Sequence, residues 1–208
     1  VLLSLLIAAF VVGETRQAAA QGTGRVPQSV LDQAEVATRA MGQQVLQGNF
    51  RVALERMYPR WKKRAAKKLQ GGQVELARRL AEIPKEMARQ GISMLNYEVR
   101  KATSAHEVVL LRGEDKEGRP INMYLEWLVF VPTRAEYRVI DPKTRLPRKI
   151  EILGFQVAVN KKGTPDWHFI DGRNCSIADL RSFFPSLPED QKLLGLPEIG
   201  GEEIRRER

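Results

Sequence analysis

The chain has 208 residues, a formal net charge of +9 and one cysteine, Cys175. That length buries one core without covalent staples, and a lone cysteine excludes both an internal disulfide framework and a multi-cysteine metal centre. The basic balance favours loose attraction to polyanions or anionic lipid without naming a partner.

Residues 1–12 form an almost unbroken apolar run, too short to cross a bilayer as a helix but of the length of a secretory signal core. Ala18-Ala19-Ala20 before Gln21 has the small-x-small form of a cleavage site. Residues 1–20 are therefore expected to be a signal peptide and 21–28 a flexible arm. A single domain is expected over 29–184 and a wrapping tail over 185–208, in a periplasmic or extracellular protein.

Pro27 and Ser29, with Asp32 three residues beyond Ser29, announce a helix in which Val30, Ala34, Ala37, Met41 and Val45 recur at helical spacing. Gly48 and Asn49 stop it, and a short helix with Phe50, Ala53, Leu54 and Met57 follows, ended by Tyr58-Pro59. Residues 60–69 carry Arg60, Lys62, Lys63, Arg64, Lys67 and Lys68 around Trp61, Ala65 and Leu69. Such an amphipathic basic helix is either a solvated face or a dock for a polyanion or anionic membrane, with Trp61 as its interfacial anchor. Beyond Gly71-Gly72, the residues Leu76, Leu80, Ile83 and Met87 mark another helix, which Pro84 should kink or restart.

The period then changes to two. Strands are expected at 95–99, 108–111, 121–131, 150–160 and 167–171, with an irregular excursion at 132–147 that holds at most a short strand at 137–140. In 121–131 the odd positions Ile121, Met123, Leu125, Trp127, Val129 and Val131 are all apolar and define a core face. Gly154 is expected to mark a bulge or a tight bend that curves the sheet around its core. Ser176 with Asp179 should cap a short helix carrying Ile177, Leu180 and Phe183. Helices followed by successive strands imply an α+β fold, an antiparallel sheet with helices on one side.

This order of parts resembles the nuclear transport factor 2-like superfamily. The likeness is carried by Gln47-Gly48-Asn49-Phe50 between the first helices and by the closing strand Asp166-Trp167-His168-Phe169-Ile170-Asp171. It implies N-terminal helices closing the mouth of a curved, cone-like antiparallel sheet. Members of that superfamily include isomerases, dehydratases, binding modules and envelope proteins, so the likeness implies architecture and no catalytic residue.

No nucleophile elbow, phosphate loop or paired-histidine metal motif is present, and no cofactor or metal is expected. His106 and His168 fall on different strands. A pocket, if the sheet holds one, would be lined by Tyr97, Trp127, Phe155 and Trp167, with Glu151 or Asp171 as a weak candidate general base. Tyr124, Leu128 and Phe130 form an apolar patch on the opposite face, to be covered by a second copy or another envelope protein, or by Leu187, Leu193 and Leu194 of the tail. The first expectation is a non-enzymatic exported binding protein. The alternatives are an isomerase- or dehydratase-like enzyme and a polyanion-binding module on the basic helix; specific nucleic-acid recognition is not expected.

Overall fold

The computed structural model describes residues 26–190, 194–197 and 203–206; the expected leader at 1–20 lies outside them, as does Leu193. Five helices and six strands follow in the order α1 (Gln28–Leu46), α2 (Arg51–Glu55), α3 (Pro59–Lys67), α4 (Gly72–Arg89), β1 (Ser93–Val99), β2 (Ser104–Glu114), β3 (Pro120–Ile140), β4 (Pro147–Lys161), β5 (Trp167–Asp171), α5 (Ile177–Phe183) and β6 (Glu203–Arg206). The strands form one open antiparallel sheet, so the fold is α+β.

β3 is the hub. One of its edges carries β2 along Pro120 to Phe130 and then β1 along Thr133 to Arg138; the other carries β4 from Glu126 to Ile140. β5 and β6 share the far edge of β4. The expected excursion after Val131 does not exist, because the strand runs straight through Pro132. A proline inside a sheet normally forfeits a ladder bond. Here the Pro132 carbonyl accepts from the Arg100 amide at 3.0 Å, in the gap between β1 and β2. Amide and carbonyl of one strand residue point the same way, so the donor that proline lacks would have faced that gap and not a paired strand.

Other local expectations are corrected as well. Gly154 makes no bulge against β3, for the register passes unbroken through its pairing with Thr133; its missing side chain leaves room for Arg173. α4 runs through Pro84 as a single helix. α1 begins without a Ser29 cap, since Pro27 stands at the N-cap position and Asp32 accepts from the Gln28 side chain at 3.0 Å. The Ser176 and Asp179 capping box at α5 forms as its spacing predicts.

Helices cover both faces of the sheet rather than one. On the first face, Val30 and Ala34 of α1 pack on Val129, Val131, Ala158, Trp167 and Phe169. On the second, Leu128, Phe130, Phe155, Val157, Val159 and Ile170 lie beneath Tyr58, Leu180 and Phe184, together with Leu187 and Leu194 of the tail. Leu128 and Phe130 are completely buried. They are core, not an interface for another molecule, because the chain covers them itself.

The apolar stripe of β3 is only half a core face. Residues 120–125 have β2 as their sole neighbouring strand, so this end of the hairpin is a two-stranded ribbon beyond the reach of β4. Met123 is 40% exposed, Leu125 37%, and Leu111 on β2 47%.

Candidate functional site

Two of the four expected pocket residues do meet. Trp127 and Trp167 flank an open hollow of about 770 Å³ between α1 and the sheet. They share it because Trp127 and Trp167 both lie across from Asn160, on β3 and β5 respectively. Asn160 is buried, and its amide donates to the carbonyls of Thr164 (2.9 Å) and Asp166 (2.8 Å), which ties down the turn before β5. Of the described residues that line the hollow, Asp32 alone is a carboxylate, and Gln28 already donates to it. Lys162 Nζ stands 4.0 Å above the Trp127 ring and pairs with Glu107.

Tyr97 and Phe155 lie elsewhere. The Tyr97 ring is pressed against Gly42 of α1, and burial pushes its phenol well above the usual range. Its hydroxyl has Thr133 beside it but no hydrogen bond of regular geometry. Phe155 faces the opposite side of the sheet, since it pairs with Pro132 and its ring meets Phe130 edge-on at 5.9 Å.

The candidate bases are also parted. Glu151 pairs with Glu136 on the Phe155 side, where Arg134 reaches Glu151 at 2.6 Å, Glu136 at 3.1 Å and Glu98 at 3.3 Å. The hydrogen bond it donates to Glu151 holds that guanidinium even more firmly protonated than usual. This cluster stitches β1, β3 and β4 together. Asp171 lies opposite Gln156, on the α1 side, and caps the turn at Gly172–Asn174 by accepting from the Arg173 amide (3.1 Å) and the Asn174 side chain (2.7 Å). Neither carboxylate faces the tryptophan hollow.

The basic helix divides into two sets. Arg60 donates to the Phe183 carbonyl (2.7 Å), and Arg64 to Ser182 Oγ (2.8 Å) while pairing with Asp179 (2.7 Å). Hydrogen bonds from Ser176, and then the charge of Arg64, hold the Asp179 carboxyl below its ordinary range. Both guanidinium groups lie 5.3 Å from the Phe183 ring centre, and Trp61 meets that ring edge-on at 6.0 Å. Arg60, Arg64 and Trp61 therefore hold α3 onto α5. Lys62, Lys63, Lys67 and Lys68 form no ion pair among the described residues.

Sequence reasoning missed Tyr58, which it read only as a helix stop. The residue is buried, donates to Glu126 at 3.1 Å and packs on Phe184 with ring centres 5.4 Å apart. Its amide donates to the Phe169 carbonyl, so residues 56–58 run along the edge of β5. It borders a smaller hollow of about 360 Å³ with Glu126, Lys161 and His168. The readable signal was Glu126, which shares the parity of Leu128 and so sits on a face that something must cover. His106 and His168 have two strands, β3 and β4, between them, and His106 contacts the Leu194 carbonyl at 2.9 Å. No cluster of metal-ligating side chains occurs among the described residues. Burial pushes the Cys175 thiol up to about 12, as for a bystander rather than a nucleophile.

The site thus belongs to an α+β protein with a covered sheet, an aromatic hollow without a proton-transfer pair, and a lysine-rich helix. Comparison of the chain with family models, with curated proteins and with solved structures gives no match.

Proposed function

We propose that the chain is an exported, non-enzymatic binding protein of the cell envelope, built on a nuclear transport factor 2-like scaffold. One observation carries this reading: Glu151 and Asp171 are on opposite faces of the sheet, each engaged in holding the fold, and neither opens on the hollow beside Trp127 and Trp167. Proton abstraction requires a base within hydrogen-bond reach of the substrate, and the one carboxylate among the described residues lining that hollow, Asp32, is solvent-exposed and already engaged by Gln28. A fold does not specify an activity, so an aromatic hollow of this kind is read as a contact surface. The scaffold assignment is supported by the order of four helices before an antiparallel sheet whose strands include 167–171. Export is supported by the apolar run at 1–12 and the alanines at 18–20.

Titration with a small apolar fluorophore, followed by tryptophan emission, tests whether the hollow is a contact surface. No saturable change is expected. Saturation that disappears in Trp127→Phe would make it a small-molecule pocket instead. N-terminal sequencing of the protein recovered from an expressing cell envelope should begin near Gln21; recovery in the cytoplasm with residues 1–20 intact would remove export.

A further inference from the structure

We infer that the α3–α4 hairpin docks the protein on an anionic lipid surface, with Val74 at the hairpin tip entering the interface and the α3 lysines meeting the headgroups. This rests on the non-enzymatic binding reading and names the chemistry of the partner.

Charge places the contact. Residues 59–89 hold ten basic and three acidic side chains, a net +7 out of the chain's +9. On α4 the acids are spent locally: Glu75 binds Arg78 and Arg79, Glu82 binds Arg78, and Glu86 binds Arg89. α3 contains no acid at all, and with Arg60 and Arg64 turned onto α5, its remaining charge is that of half-buried Lys62 and exposed Lys63 and Lys67, with Lys68 just beyond it also feeling Asp179. Lysine is a compact point charge without the flat fork that reads phosphate esters or bases, and the helix's one aromatic is already against Phe183. Nucleic acid is thereby the poorer fit.

Apolar exposure selects lipid over a soluble polyanion. Val74 lies in the first turn of α4, just across the tight turn from Lys67 and Lys68, and is 80% exposed, the most exposed of the large apolar side chains described. α4 has no buried residue although its Leu76, Leu80, Ile83 and Met87 share one stripe. A helical hairpin that places lysines beside an uncovered apolar tip has the makeup of an interfacial element, and a polysaccharide chain would leave that tip in water.

Sedimentation with phosphatidylglycerol-containing vesicles, with phosphatidylcholine vesicles as reference, tests the proposal alongside retention on heparin. The protein is expected to bind the anionic vesicles, and to lose that binding at high salt. A variant with Lys62, Lys63, Lys67 and Lys68 all changed to Gln should bind at least about a hundredfold more weakly, since each lysine near such a surface contributes roughly fivefold. Lys116 and Lys143 changed to Gln, both outside the hairpin, should have far less effect. Val74→Gln, a neutral change at a site too exposed to unsettle the fold, should weaken vesicle binding about tenfold and leave heparin retention unchanged. The proposal is overturned if the protein ignores anionic vesicles, if the control lysines matter equally, or if Val74→Gln binds like the parent. Either of the last two results would leave charge alone as the cause. The dye titration at Trp127 and the vesicle assay probe separate surfaces, so one reading can fail while the other stands.

Discussion

Phe130→Ala is expected to lower the unfolding free energy by about 3–5 kcal/mol, the usual cost of removing a buried ring and leaving a cavity. Phe130 has no solvent exposure, meets His106 and Phe155 edge-on, and lies in the cluster sealed by Leu187 and Leu194. Leu194→Ala should cost about 2–5 kcal/mol by the same mechanism, because Leu194 is equally buried although it comes from the tail. Urea unfolding followed by circular dichroism reads both values. The outcome separates two accounts of the β3 surface. If Phe130 faced a partner, the substitution would change the sedimentation coefficient and spare the unfolding midpoint of the protomer. A midpoint that does not move for Phe130→Ala would refute the tail-covered core.

Gly42→Ala is expected to destabilise by about 1–3 kcal/mol, against the gain of nearly 1 kcal/mol that an alanine normally brings to a helix interior. The reason is steric. A Cβ on Gly42 would sit 2.0 Å from two ring carbons of Tyr97, so α1 would have to lift from the sheet or the ring leave its site. Glycine in mid-helix is the condition for that close approach. Changing Tyr97 to Ala as well should remove the clash, giving a coupling of at least about 1 kcal/mol between the two substitutions in a double-mutant cycle. A more stable Gly42→Ala protein would show that helix and ring are not in contact.

Periodicity told which residues share a face but not what covers that face. In β3 the stripe from Ile121 to Val131 was visible, yet α1 packs only on Val129 and Val131, and the ribbon beyond Glu126 keeps Met123 and Leu125 in partial contact with water. The expected pocket failed for a related reason. Trp127 and Phe155 each alternate correctly along their own strands, but their relation depends on register, and register is set by pairing. Trp127 pairs with Asn160 and Phe155 with Pro132, which places the two aromatics on opposite faces. Pro132 looked like a strand end because its neighbours across the edge were unknown; the gap between β1 and β2 could be seen only once both were paired. By contrast, the capping box at Ser176 and the strand from Trp167 to Asp171 are local patterns, and they were legible as they stand. The lysines were legible as a patch. The anchoring of Arg60 and Arg64 was not, because α5 reaches them from more than a hundred residues away.

The position of the hub strand also sets an order of events during synthesis. Everything up to residue 119 leaves the ribosome before β3 exists, so β1 and β2 emerge with no place in the sheet, and α1 can meet β1 but not Val129, Val131 or Ala158. Long-range strand pairing must wait for its later partner, which keeps the early half of this chain open while it is being made. A nascent chain held open in this way depends on residues beyond 120 for the contacts that close it.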